Sequence, residues 1–367
     1  MKNADGLLVA AEQFAPGRVL AVQEYGSGNI NDTYLVTTDA PADARLILQR
    51  INTRVFPQPA LIMHNLRVFT DHVVERLRRE PTRPGRRWVV PRVLRTRDGQ
   101  DFFVAADGSF WRALSFVDRA RTFDAVQNLD HAREVGYALG RFQDLISDLD
   151  VARLHDTLPG FLIAPYYLAR YDEVVARGAP KSGPAVDYCH RCVAERRAWA
   201  SVLEDAREQG RLRPRPIHGD PKVNNFMMDE TTGQAVSLVD LDTVKPGLVH
   251  YDIGDCLRSC CNPLGEETRD VDAVRFDITL CRAILEGYLP LARRFLDEND
   301  YLYLYDCIRL LAFELGLRFF TDYLAGNVYY KVKSEDHNLW RALVQFRLTE
   351  SIEAQETAIR ALIDELR

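Results

Sequence analysis

The sequence predicts an α+β protein of two lobes: a small antiparallel sheet carrying one helix over residues 1–117, and a mostly helical lobe over residues 118–367. Three observations carry this expectation. The chain has 367 residues, enough for two hydrophobic cores. Its first hundred or so residues alternate apolar and polar in short runs rich in β-branched and aromatic side chains. Beyond Val117 the apolar spacing lengthens to that of helices. Apolar residues make up 47% and charged residues 27%, a globular balance, and no apolar run reaches the length of a membrane span.

Element by element, RVLAVQEY, TYLVTT and RLILQR read as an antiparallel meander punctuated by Gly, Asn, Asp and Pro. Ile62, Leu66, Phe69, Val73 and Leu77 recur at spacings of three and four and mark the helix of this lobe, which the turn residues of EPTRPGRR end. WVVPRVL, DFFVAA and FWRALSFV resume the sheet, the joins falling at TRDGQ and ADGS. In the second lobe, Val135, Leu139, Phe142, Ile146 and Leu149 give an amphipathic helix over 130–150 with Asp130 as its N-cap. Further helices are expected over about 163–177, 187–208, 269–287, 300–325 and 337–365. One strand pair interrupts them, NFMM and AVSLVDL, joined by DETTGQ.

The 47 basic and 53 acidic residues sum to a formal charge of −6. That argues against nonspecific binding to nucleic acid or an anionic membrane and suits a small-molecule partner. The first residues, MKNADGLLVAAEQF, do not have the form of a signal peptide, and seven cysteines scattered from Cys189 to Cys307 look like reduced buried thiols, so a cytoplasmic location is expected. Cys189, His190 and Cys192 have the look of a zinc knuckle, but no second ligand pair follows, and a shared buried helix face explains them better. Cys256, Cys260 and Cys261 are read the same way.

Two segments carry chemistry. In EYGSGNINDTYLV, Gly26 and Gly28 lie between two strands, where a loop without side chains can set backbone N–H groups against phosphate oxygens; a plain hairpin turn would use glycine there too. A strand rather than a helix follows, which excludes the dinucleotide-binding arrangement. In PIHGDPKVNN and AVSLVDLDTV, Asn225 follows Asp220 by five residues and Asp240 follows Asn225 by fifteen, at the end of a strand. Phosphoryl transfer from a nucleotide requires this set: a carboxylate to orient and deprotonate the attacking hydroxyl, and an amide with a second carboxylate as oxygen ligands for magnesium. His218 would brace the loop, and Lys222 would set a positive charge beside the transferring group.

With HGDPKVNN and VDLDT on the page, the chain resembles the aminoglycoside phosphotransferase and choline kinase branch of the protein-kinase-like fold. YGSGNINDTYLV, LILQRINTRVFP, DPKVNNFMMDETTG, YDIGD and GLRFFTDYLAGN make it most similar, within that branch, to the N-acetylhexosamine 1-kinases. The resemblance implies an ATP- and magnesium-dependent kinase that phosphorylates the anomeric hydroxyl of an N-acetylhexosamine. Asp220 then resembles the catalytic base, with Lys222 beside it, and Asn225 and Asp240 the magnesium ligands. Gly26, Ser27 and Gly28 would cover the ATP phosphates, Gln49 would face them, and Phe116, Val117 and Asp118 would meet the adenine. Asp252 resembles the helix-start aspartate that anchors the catalytic loop, although an ordinary N-cap fits it equally.

On the sugar side, Asn29 and Asn31 project from the glycine loop and would meet ring hydroxyls, as would Arg318 and Tyr329 by resemblance. Turn-forming asparagines and an i,i+4 charge ladder of Glu314, Arg318 and Asp322 are the plain alternatives. One departure stands out. The lysine that protein kinases carry on the third strand and its glutamate partner are missing, since LILQR offers Gln49 and Arg50, and the helix offers Asn65 and Arg67. An inactive kinase is one reading of that loss; the hexosamine kinases, which also lack the lysine, speak for activity. Choline, an aminoglycoside, homoserine and another hexose remain open as acceptors, as does a nucleotide-binding regulatory protein without catalysis.

Overall fold

The computed structural model describes residues 4–26, 30–41, 43–178 and 181–367. Ser27, Gly28 and Asn29 lie outside the described residues.

The first lobe holds helix α1 (Ala4–Phe14), strands β1 (Val19–Glu24), β2 (Asp32–Thr38) and β3 (Arg45–Ile51), helix α2 (Pro59–Arg79), and strands β4 (Val93–Leu94), β5 (Phe103–Val104) and β6 (Phe110–Ser115). The strands form one antiparallel sheet in the order β1-β2-β3-β6-β4, with β5 also paired to β6. Strand periodicity sorts its side chains. Tyr34, Val36, Leu46, Leu48, Trp111 and Ala113 pack with Ala10, Ala11 and Phe14 of α1, a helix the apolar spacing alone leaves unassigned. Residues of opposite parity, Ile47, Gln49, Arg112 and Leu114, face a cleft on the other side. Helix α2 turns Ile62, Met63, Leu66, Phe69 and Val73 into the main core, together with Phe142 and Ile146 of the second lobe.

The second lobe runs β7 (Ala120–Arg121), α3 (Leu129–Ile146), α4 (Ala164–Ala176), α5 (Pro184–Arg196), α6 (Val202–Glu208), β8 (Arg215–Ile217), β9 (Phe226–Asp229), β10 (Ala235–Leu238), β11 (Lys245–Gly247), α7 (Val249–Cys260), α8 (Ile278–Ala292), α9 (Glu298–Leu302), α10 (Leu304–Leu324), α11 (His337–Ala354) and α12 (Glu356–Leu366). Helices α3 and α8 cross closely at two glycines: a Cβ on Gly136 would stand 1.9 Å from the Ile284 carbonyl oxygen, and one on Gly287 would stand 2.0 Å from that of Arg133.

Several boundaries differ from expectation for identifiable reasons. The N-cap of α3 is Asn128, which accepts the His131 N–H, while Asp130 pairs with Arg133 on the surface. The helix expected over 187–208 breaks at a tight turn over 197–199 between α5 and α6. The one expected over 269–287 begins only where Asp277 caps the Thr279 and Leu280 N–H groups. WVVPRVL pairs only at Val93 and Leu94, past Pro91, which has no N–H to give a ladder. YDIGD lies inside α7. All seven cysteines are buried and unpaired, and no cluster of three or more His, Cys, Asp or Glu suited to a metal occurs among the described residues. No helix among them is long and apolar enough to cross a membrane.

Candidate active site

The loop 218–225 joins β8 to β9, and its shape is held from beneath. Asp252 of α7 accepts the backbone N–H groups of His218 (2.9 Å) and Gly219 (2.8 Å) and the Gln143 side-chain amide (3.1 Å). Burial pushes its carboxyl up to about 7 against the pull of these donors. Leu248, not Asp252, occupies the N-cap of α7. His218 is fully buried; its Nδ1 accepts the Asp220 N–H (3.1 Å) and its Nε2 lies 3.0 Å from the Val239 carbonyl oxygen. An acceptor Nδ1 and a donor Nε2 define the neutral ring, and burial accordingly pushes its pKa down to about 4. Gly219 has φ +85, and a Cβ there would lie 2.8 Å from the Thr243 carbonyl oxygen. The position admits glycine because the two halves of the site touch there.

Above this frame, Lys222 Nζ stands 2.5 Å from Asp220 Oδ2. Burial works against its charge, but Asp220 and Asp240 outweigh it and raise its pKa. The Asn225 amide nitrogen donates to the Asp220 carbonyl (2.7 Å), so its orientation is set and its oxygen is left for another partner. Asp240 lies two residues past the end of β10, in left-handed backbone, φ 65 and ψ 58, a conformation that Asp tolerates better than most residues and that functional turns favour. Burial, then the neighbouring Asp242, push its carboxyl up to about 6. A carboxylate held at that cost beside Asp220 and an amide oxygen is a donor set that fits a hard divalent cation.

These groups form the polar end of a cavity of about 570 Å³ between the lobes. Gly26, Asn31, Gln49, Phe116, Val117, Asp220, Lys222, Asn225 and Asp240 all line it, and Ile47, Leu114, Met227 and Val239 make its other end apolar. A ligand with a flat apolar end and a charged tail suits such a cavity. Among the described residues no hydrogen bond engages the backbone of Phe116 or Val117. Asp118 is not in the lining: its carboxylate pairs with Arg45, and its carbonyl accepts from Arg87 (2.8 Å). The Asn31 amide is spent within the protein, donating to Asp242 and accepting from the Asn52 N–H.

A second cavity, of about 630 Å³, meets the first at Asp124, Lys222 and Asn224. Its lining includes Asn224, Asn262 and Gln345, each with a buried side-chain oxygen that accepts no hydrogen bond from the described residues. Arg318 and Tyr329 line neither cavity. The Arg318 side chain lies among the rings of Phe161, Tyr167 and Tyr330, 5.0, 5.1 and 5.8 Å from their centroids, with Glu314 at 3.7 Å. Asp322 takes no part in a ladder, since it accepts the N–H groups of Val328, Tyr329 and Tyr330. Tyr329 is half exposed.

Sequence reasoning missed Arg112, Asp242 and the amides of the second cavity. Arg112 had a signal available: it falls on the cleft face of a strand whose alternate residues are apolar. Asn262 and Gln345 had none, for only the packing of helices distant in sequence brings them beside Lys222.

A two-lobed protein-kinase-like fold with a bracketed carboxylate, a divalent-cation donor set and an apolar-ended cleft between the lobes is the arrangement of a phosphotransferase acting on a small molecule. Residues 21–291 match the phosphotransferase enzyme family, APH, and the chain belongs to that family, whose acceptors are alcohols. Solved structures of the same fold include the GDP complex of wild-type aminoglycoside 2'-phosphotransferase-IIIa, with TM-score 0.61 and 14% identity over 97% of this chain and 100% of that one. Choline kinase from Cryptosporidium parvum Iowa II gives TM-score 0.60 and 12% identity over 99% of each chain. An amicoumacin kinase solved with AMP-PNP and Ca2+ gives 0.55 and 14% over 99% of this chain and 93% of that one. At these identities the likeness is one of fold.

Proposed function

We propose that this phosphotransferase is an ATP- and magnesium-dependent sugar kinase that phosphorylates the anomeric hydroxyl of an N-acetylhexosamine, giving the sugar 1-phosphate. The observation that carries the acceptor class is the second cavity. Asn224, Asn262 and Gln345 line it and carry buried side-chain oxygens without a partner among the described residues, acceptor capacity that a small side-chain turn would offer to an uncharged ligand rich in O–H and N–H donors. The charged groups of its lining are Lys222, Arg258, Lys331, Lys333 and Arg341 against Asp124, Glu266 and Glu267. A cationic acceptor such as choline or an aminoglycoside would need the opposite balance. The choice of an N-acetylhexosamine among polyols rests on the sequence resemblance.

In this reading residues 1–117 cover the nucleotide and residues 118–367 carry the catalytic loop and the acceptor. Lys222 and the Asn225 amide both lie on Asp220 Oδ2, which leaves Oδ1 to receive the acceptor's hydroxyl proton. Asp252 and His218 keep that carboxylate in place, so the reaction depends on positioning rather than on loop rearrangement. Asn225 and Asp240 would hold magnesium, which when bound offsets charge on the phosphate oxygens. The seven buried, unpaired cysteines suit work in the reducing cytoplasm. The test is magnesium-dependent ATP consumption across free sugars, amino alcohols and aminoglycosides. Turnover with N-acetylhexosamines is expected; turnover confined to amino alcohols or aminoglycosides overturns the acceptor, and none with any alcohol overturns the kinase.

A further inference from the structure

The third strand offers Gln49 where a kinase lysine would face the phosphates. Its partner in register on the next strand is Arg112, and both side chains fall on the cleft face and line the nucleotide cavity. Arg112 is 1% exposed. Its Nε and Nη2 donate to Gln49 Oε1 at 3.0 and 2.7 Å, and Nη2 also donates to Asp242. The other oxygen of Asp242 accepts from Asn31, so two groups of the sheet lobe grip one carboxylate two residues beyond Asp240. Gln49 is itself fixed by donating to Thr33 Oγ1 (3.1 Å). One part of the guanidinium, Nη1, has no hydrogen-bond partner among the described residues.

A buried guanidinium held by three hydrogen bonds from two of its nitrogens costs little further entropy to orient, and an unspent donor on a buried cation calls for an anionic acceptor. The polar end of the same cavity is where the proposed nucleotide carries its phosphates. We propose that Arg112 supplies, from the strand next door, the positive charge that the third strand lacks: it holds Asp242 across the lobes and gives its Nη1 donors to the phosphate chain of the bound nucleotide. The pair Arg112 and Asp242 then replaces the strand-lysine and helix-glutamate pair, and Gln49 is an orienting group rather than a degraded lysine. The inference rests on the kinase reading, because it requires nucleotide in this cleft, but it does not depend on which alcohol is the acceptor.

The test compares binding of Mg·ATP and of adenosine to the full chain, by titration calorimetry, for wild type, Arg112→Lys, Arg112→Met and the double variant Arg112→Met with Asp242→Asn. The double variant leaves no uncompensated buried charge, so it guards against a simple folding defect. The expected result is a loss of Mg·ATP affinity of tenfold or more in Arg112→Met and in the double variant, adenosine affinity within twofold of wild type, and partial recovery in Arg112→Lys. Wild-type Mg·ATP affinity in the double variant, or equal losses for ATP and adenosine, would show Arg112 to be a counter-ion or a packing residue and overturn the inference alone. A wild-type chain that binds adenosine but gains nothing from triphosphate also overturns it. Failure of the wild type to bind any nucleotide removes the kinase reading and this inference together.

Discussion

The two cavities that meet at Lys222 are built in opposite ways. The polar end of the nucleotide cavity comes mainly from two short stretches, 218–225 and 239–243, whose side chains are braced by backbone and buried partners: Asp252 under the loop, the neutral His218 between loop and strand, Gly219 against Thr243. The second cavity shares Lys222, Val223 and Asn224 with that loop and takes the rest of its lining mainly from α7, α11 and the segments 262–267 and 331–333, and several of its polar atoms have no partner among the described residues. In the proposed reading, the reaction is carried by a braced, closely spaced set of groups, and the acceptor is chosen by a surface to which residues distant in sequence contribute.

The sharpest way to break this contrast is at the first cavity. Asp220→Asn should lower kcat by at least a hundredfold with little change in ATP affinity, because it removes a proton acceptor and not a nucleotide contact; near-normal turnover in steady-state assays would end the assignment of Asp220 as base. The bracing predicts an acid limit of similar size. The pKa of His218 is pushed from 6.5 to about 4 on folding, so between those values the unfolded chain binds the extra proton. The stability tied to the neutral ring is fully present above 6.5 and is lost as pH falls toward 4, about 3 kcal/mol in all. The raised carboxyls of Asp252 and Asp240 act in the opposite sense over the same range, so the contribution is read as a difference: the urea-unfolding stability of wild type relative to His218→Gln should shrink by about that amount as pH falls from 6.5 to 4.

Asp252→Asn tests the floor of the same loop. It exchanges a carboxylate that accepts three N–H bonds for an amide that presents a donor to one of them, and it should cost about 2 kcal/mol while lowering kcat more than it changes the KM for ATP. The smallest effect belongs to the second cavity. Gln345→Met should raise the acceptor KM about tenfold, roughly 1.4 kcal/mol, with the KM for ATP unchanged and the melting temperature the same or higher, since a buried amide oxygen without a partner is removed. An unchanged acceptor KM would mean that the two cavities do not divide the work in this way.

Much of the first region was legible without coordinates. The spacing of residues 220, 225 and 240 brings all three into one cavity, because a tight loop and a strand end a few residues apart fix direction as well as distance; Gln49, placed by resemblance, lines the same cavity, while Ser27, Gly28 and Asn29 of the glycine loop lie outside the described residues. Helix ends were less legible. Asn128 and Asp130 are both good caps, and only the path of the chain into α3 chose between them; the break after Arg196 and the late start at Asp277 have the same origin. Arg318 shows the limit most clearly. Its spacing from Glu314 fits a surface ladder, yet the packing of Phe161, Tyr167 and Tyr330 around it makes it a largely enclosed cation against aromatic rings.

The chain by itself determined the lobes, the family and the kind of reaction, because those depend on periodicity and on chemical groups only a few residues apart. The tertiary structure decided what stands across from what: that Arg112 meets Asp242, that Asp252 lies beneath the loop, that Asn262 and Gln345 open beside Lys222. Contacts between residues tens to hundreds of positions apart are set by how helices and sheet bury their apolar faces together, and no local pattern records the side chains that such burial brings face to face.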